Sequence, residues 1–219
     1  MDRRALYLCI NVRSDTSSIV AKALDGGVDV VQIREKEREA RDILSLADEL
    51  LPLCHRYSVP LFINDRADLV LICGADGIHV GQGDIEVEDC RRILGSQVLV
   101  GLSTHDRADL ADALAKSEMT SYISAGPVDP TPTKPNRGGT GIGYVEEAVA
   151  RSSQPVFVTG GVDPDKVMLL GEVGVRHFVV VRYVADSDDP FASVFDRNHT
   201  KKLSILQLAK SEESSLGFR

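Results

Sequence analysis

Short runs rich in Val, Ile and Leu recur along the chain at similar intervals, and a segment of helical period separates each from the next. The runs fall at 5–10, 29–33, 60–63, 77–80, 98–102, 121–125, 155–159 and 177–181. Helical patterns are expected between them at 16–24, 39–57, 67–73, 87–94, 107–116, 145–152 and 164–172. Eight such alternations without a clear linker leave few ways to fold. They require a parallel sheet covered by helices, and the count favours closure into a single-domain α/β (β/α)8 TIM barrel over residues 1–195. A weak internal echo points the same way: GGVDVVQIR, GADGIHVGQ and EVGVRHFVVV each set a glycine-bearing helix end before a buried strand. An open doubly wound sheet is the alternative, but no GxGxxG follows the first strand, so a dinucleotide site is not expected. Residues 196–219 read as a polar tail with room for one short helix around 203–209 and then a disordered end.

Charge and composition narrow the function. A formal net charge of −8 argues against nonspecific binding to nucleic acid or to an acidic membrane surface. Aromatic residues are few and Trp is absent, so base-stacking platforms are not expected either. The first apolar run, 5–12, is too short for a secretory signal, and no stretch approaches membrane-spanning length, which makes the expected location cytoplasmic. Cys9, Cys54, Cys73 and Cys90 lack CxxC spacing and sit mostly in apolar patterns, as buried reduced thiols would.

Polar residues near the strand ends carry the functional reading, because active sites of this fold lie at the carboxyl end of the barrel. In the second strand Val28, Val30, Gln32, Arg34 and Lys36 alternate on one face, while Val31 and Ile33 occupy the other. The apolar face belongs against the helices, so Gln32, Arg34 and Lys36 should climb into the mouth. The third strand ends in Asn64-Asp65-Arg66, and the fourth leads into Gly81-Gln82-Gly83-Asp84. Asp65 and Asp84 could each be a turn or cap residue. Two carboxylates beside a basic cluster also suit Mg²⁺ bridging a polyphosphate. Ser103 should reach the mouth, His105 should lie outside it, and His79 is expected as a hydrogen-bonded core histidine. Gly160-Gly161, after the seventh strand, would let backbone amides approach an anion. Arg182 is expected to emerge beside them, on the face shared with Phe178 and Val180.

The longest connection runs between the sixth strand and the next helix. Pro127, Pro130, Pro132 and Pro135 stiffen one half and Gly138, Gly139 and Gly141 loosen the other. Thr131, Thr133 and Lys134 lie between the prolines with no core to join, as in a loop that closes over an anion. It is expected to be mobile without ligand and ordered over bound pyrophosphate. No Ser-His-Asp set, nucleophilic Cys or zinc-spaced cluster competes, so joining or rearranging phosphorylated substrates fits better than hydrolysis.

At this point LYLCIN, VVQIREK, FINDRADL, ADGIHVGQGD, VGLSTH, GPVDPTPTK, TGGV and VVVRYV can be read together. Their order and spacing resemble the thiamine phosphate synthase family over residues 6–191, most closely its actinobacterial members. The resemblance implies a transferase that joins an aminopyrimidine methyl pyrophosphate to a hydroxyethylthiazole phosphate with Mg²⁺ present. It implies pyrophosphate contacts from Gln32, Arg34, Lys36, Asn64 and Lys134, and metal ligands at Asp65 and Asp84. Ser103 matches the serine beside the pyrimidine, Thr131 and Thr133 the closing-loop hydroxyls, and Gly161 and Val181 the thiazole-phosphate contacts. Lys134, Ser103 and Arg34 are the catalytic candidates in that correspondence. The partners implied are small molecules, with a homodimer allowed for. Asn11 stands where the family usually has Asp, and Arg182 where it commonly has Ser. The related thiazole tautomerase and a catalytically inactive sensor are the rival readings.

Overall fold

A computed structural model describes residues 5–130 and 138–194 of the chain. Its strands are β1 (Ala5–Ile10), β2 (Val30–Ile33), β3 (Leu61–Asn64), β4 (Gly77–Val80), β5 (Leu99–Thr104), β6 (Tyr122–Ala125), β7 (Val156–Val158) and β8 (His177–Val180). They are all parallel and close on themselves, with β1 hydrogen-bonded to both β2 and β8. The helices that follow are α1 (Thr16–Gly26), α2 (Ala40–Arg56), α3 (Ala67–Cys73), α4 (Val87–Leu94), α5 (Arg107–Ala115), α6 (Ile142–Arg151), α7 (Pro164–Glu172), α8 (Arg182–Ala185) and α9 (Pro190–Val194). The expected (β/α)8 barrel is the observed one.

Local chemistry sets several element ends. Gly27 takes a left-handed conformation (φ 99°), and its N–H closes α1 onto the Ala23 and Leu24 carbonyls. Asp106 and Asp163 cap α5 and α7 by accepting from backbone N–H groups one turn in, and Pro164 opens α7 where its missing donor costs nothing. Helix α6 starts at Ile142, three residues before the expected position. Val181 leaves the sheet, and the chain turns into α8 there rather than continuing the strand.

Two apolar layers hold the barrel. Leu6, Leu8 and Ile10 of β1, Val31 and Ile33 of β2, and their counterparts around the barrel face outward and pack on the helices. Val28, expected on the inner face of the second strand, belongs to this outer layer instead, because it precedes the strand proper. Inside lie Tyr7, Phe62, Tyr122 and Phe157, packed against Ala5, Val30 and Val179. Their ring centroids are 5.0–5.9 Å apart, mostly edge to face, an arrangement that contributes about 0.5–1.5 kcal/mol per pair beyond area burial. Glycines make room for these rings: a Cβ on Gly77 would lie 2.3 Å from Phe62, and one on Gly101 would lie 2.1 Å from Tyr122. Polar inward positions begin above this aromatic layer, and they form the site.

Candidate active site

The mouth holds a cavity of about 360 Å³ above the aromatic layer. Strand alternation delivers Cys9 from β1, Gln32 from β2, Asn64 from β3, His79 from β4 and Ser103 from β5; Arg34 and Lys36 come from the segment that follows β2, and Asp65, next to Asn64, enters through its left-handed backbone. The sequence-predicted mouth residues Gln32, Arg34, Lys36, Asn64, Asp65, Asp84 and Ser103 are thus brought together around one space. Thr131, Thr133 and Lys134, with the expected closing motion of their loop, lie outside the described residues.

His105 corrects an expectation. It follows β5 by one residue and lines the same cavity, its Nδ1 3.0 Å from Asp109 Oδ2. The same Asp109 oxygen accepts from the His105 backbone N–H at 2.9 Å, so helix α5 folds the side chain back over the mouth.

On one side of the mouth, Lys36 Nζ is 3.0 Å from Asp65 Oδ2. Glu35 fixes the backbone that carries Lys36, since its carboxylate accepts from the N–H groups of Val12, Lys36 and Glu37. Burial pushes the Glu35 carboxyl up, but those backbone donors outweigh it and hold the group below its ordinary value. Sequence pattern gave no hint of this role, because a glutamate in EKEREAR looks like a solvated helix start.

Asp65 does not cap α3. The residue before that helix is Arg66, with no side-chain cap bond, and the Asp65 N–H is committed to the His79 carbonyl at 2.9 Å. Its backbone is left-handed (φ 62°), a conformation Asp tolerates better than most residues but one that stores strain. Burial raises the Asp65 carboxyl pKa; Lys36 opposes this, and the neighbouring Asp84 carboxylate raises it further, for a net upward shift. Asp84 also accepts from the Gly81 N–H at 2.9 Å, which bends the β4–α4 turn so that the two carboxylates face each other. Paired oxygen donors, partly desolvated and short of positive charge, suit a hard divalent cation that takes its remaining ligands from phosphate and water. Asn64 adds a second unmet demand: its Nδ2 is buried without a hydrogen-bond partner.

A second cavity of about 350 Å³ opens beside the first, with Thr159, Val179 and Val181 forming a shared wall. Gly160, Gly161, Val181 and Arg182 line it together. Gly160 (φ 105°) and Gly161 (φ 69°) both need glycine's freedom, and a Cβ on Gly160 would meet the Val128 amide at 2.5 Å. Arg182 lies by the diglycine as expected, but by another route. Phe178 and Val180 face the helices, so strand alternation would carry Arg182 outward. It joins the cavity because the turn at Val181 makes it the first residue of α8. Asn11 is exposed, does not line the mouth, and serves through its backbone carbonyl, which accepts from Thr16 Oγ1 at 2.9 Å.

A family model described as thiamine monophosphate synthase matches residues 6–184. A thiamine-phosphate synthase from Mycobacterium sp. (strain KMS) is 41% identical over 202 residues, covering 86% of this chain and 88% of its own length. One from Thermus thermophilus is 42% identical over 191 residues, covering 84% and 91% respectively. Among solved structures, the thiamine phosphate pyrophosphorylase from Pyrococcus furiosus superposes with a TM-score of 0.81 at 23% identity, over 99% of this chain and 98% of that one.

Proposed function

The chain belongs to the thiamine monophosphate synthase family, and from that premise we propose that its mouth joins an aminopyrimidine methyl pyrophosphate to a hydroxyethylthiazole phosphate. The products are thiamine phosphate and pyrophosphate. The observation that carries this reading is the combination at the end of β3. Asn64 presents a buried amide N–H without a partner, and beside it Asp65 and Asp84 crowd two carboxylates against the Lys36 ammonium. A pyrophosphate with a divalent cation answers both demands at once.

In this reading Gln32, Arg34, Lys36 and Asn64 bind the pyrophosphate of the pyrimidine substrate, joined by Lys134 from the long loop. Asp65 and Asp84 would hold Mg²⁺, which supplies charge neutralisation for the leaving pyrophosphate. Arg34, Lys36 and Lys134 would stabilise that departing charge, and a pyrimidine methyl cation remains for the thiazole nitrogen to attack. No side-chain nucleophile is needed. Ser103 orients the pyrimidine ring. The amides of Gly161 and Val181, with the Arg182 guanidinium, hold the thiazole phosphate in the second cavity. The resemblance implies that the Thr131 and Thr133 hydroxyls would help keep water from the cation. Work in the cytoplasm and assembly as a homodimer complete the proposal. Purified protein with both phosphorylated substrates and Mg²⁺ tests it: thiamine phosphate and pyrophosphate should appear together in equal amounts, and EDTA should stop both. Isomerisation of a thiazole carboxylate phosphate without condensation, or full activity in EDTA, would overturn it.

A further inference from the structure

The two cavities meet at three residues, Thr159, Val179 and Val181. Two of them are apolar, so the Thr159 hydroxyl is the one polar side-chain group on the shared wall. Strand β7 puts it there. Phe157 belongs to the aromatic floor and Val158 to the outer layer, so period two turns Thr159 inward, one level above Phe157. The backbone of Thr159 is spent on the fold: its N–H bonds the Ala125 carbonyl at 3.1 Å, and its carbonyl accepts from the Val128 N–H at 2.8 Å. Its methyl is placed by Gly126, where an added Cβ would lie 3.1 Å from Thr159 Cγ2. Among the described residues the hydroxyl has no hydrogen-bond partner. Once ligands fill both cavities and displace water, a hydroxyl on the wall between them must find its partner in a ligand or stand unmatched at a cost.

On the proposed function the shared wall is also where the bond would form. With the pyrimidine in the first cavity and the thiazole phosphate in the second, the methylene carbon and the ring nitrogen would meet where the cavities join. The methylene C–O bond breaks, and its electron pair leaves with the pyrophosphate. The thiazole nitrogen then supplies the pair for the new C–N bond. Positive charge thus passes from the methylene to the thiazolium ring across this wall. Val179 and Val181 offer nothing to that charge, whereas the lone pairs of a hydroxyl oxygen do. The hydroxyl keeps its own proton throughout.

We propose that Thr159 is a substrate-contacting residue at the junction of the two cavities, whose hydroxyl oxygen faces the cationic centre and keeps the thiazole nitrogen in line with it. This deepens the proposed function and rests on it for the identity of both substrates.

Thr159→Val keeps the shape and the methyl against Gly126 and removes only the hydroxyl, while Thr159→Ser keeps the hydroxyl and removes the methyl. Thiamine phosphate and pyrophosphate are measured separately with both substrates and Mg²⁺ present. The valine variant should lose about tenfold in kcat, with smaller changes in both KM values. It should also release pyrophosphate in excess over thiamine phosphate. With the thiazole out of line, water adds to the methylene carbon and loses a proton, which gives the pyrimidine alcohol. The serine variant should keep equal yields and most of kcat. If the valine variant does not fold, Thr159→Ala carries the same expectation. A folded hydroxyl-free variant with wild-type kcat and equal yields overturns the proposal, as does a serine variant that is uncoupled to the same degree. A wild type that forms no thiamine phosphate would refute the proposed activity and this role with it, whereas an active wild type beside an unaltered valine variant refutes the role of Thr159 alone.

Discussion

Asp65 concentrates the conflict between stability and use. Its pKa is raised chiefly by burial, with Asp84 adding to the effect and Lys36 only partly offsetting it. A carboxyl whose folded pKa exceeds its unfolded one binds its proton more tightly in the fold. It therefore weakens the fold at pH above both values, and the penalty disappears as the pH falls below the ordinary carboxylate range. Asp65→Asn preserves the left-handed backbone preference that Ala would lose. In EDTA at neutral pH the variant should melt at a higher temperature than the wild type, with the gain fading toward acid pH. With substrates and metal it should lose orders of magnitude in turnover. A lower melting temperature at neutral pH would mean that the Lys36 pair outweighs the burial. Arg182 invites a complementary measurement. Its guanidinium, set beside Gly160 and Gly161, can fork onto two phosphate oxygens. Arg182→Ala should raise KM for the thiazole phosphate by the equivalent of about 1.5–3 kcal/mol with kcat changed less. Steady-state kinetics showing no change in KM would place the side chain in solvent.

At the scale of elements, the strand ends decide how much of the site could be read in advance. Where a side chain follows strict alternation, as Gln32, Arg34 and Ser103 do, sequence is sufficient, because period two assigns each residue to the mouth or the helices. Just past a strand the rule fails. His105 returns to the mouth through its bonds to Asp109, and Arg182 arrives by a turn that strand parity would have forbidden. Glu35 was invisible because its work is done on backbone N–H groups, which no side-chain pattern records. The junction between β6 and β7 shows the same thing. Val128 N–H bonds the Thr159 carbonyl at 2.8 Å, and the N–H groups of Thr140 and Gly141 bond the Pro127 and Val128 carbonyls. The stems of the long loop are thereby tied to the diglycine turn. Gly160→Ala should fail at this seam, since its φ of 105° is one that L side chains rarely adopt and its Cβ would press on the Val128 amide. Urea denaturation should register a loss of about 1–3 kcal/mol. A near-neutral result would show that the seam can shift.

For the whole molecule, the alternation of strand and helix was enough to give the closed barrel, whereas its interior filling was not legible. Tyr7, Phe62, Tyr122 and Phe157 are spaced far apart in sequence, and nothing local marks them as one layer. Nor does a glycine inside a strand announce which ring it shelters. Gly101→Ala should test that relation, because the added methyl collides with the Tyr122 ring. Overpacking of this kind costs about 1–3 kcal/mol, and the variant should also lose kcat/KM as Tyr122 shifts away from His79. Thermal and kinetic measurements on the same preparation would separate the two effects, and an unchanged kcat/KM in a destabilised variant would show that Tyr122 moves without disturbing the mouth.

The aromatic layer also turns the mouth into a blind well. Tyr7 and Tyr122 close the cavity from below, while the diglycine cavity meets it across the shared wall of Thr159, Val179 and Val181. Among the described residues the aromatic floor offers no passage beneath, so depth becomes order in time. On the proposed function, a pyrimidine seated against that floor would have to descend before the thiazole phosphate settles above it. The joined product would then keep its pyrimidine end at the bottom, and pyrophosphate would depart first. Thiamine phosphate should therefore inhibit competitively against the pyrimidine pyrophosphate and non-competitively against the thiazole phosphate; the reverse pattern would mean that the well fills from the rim.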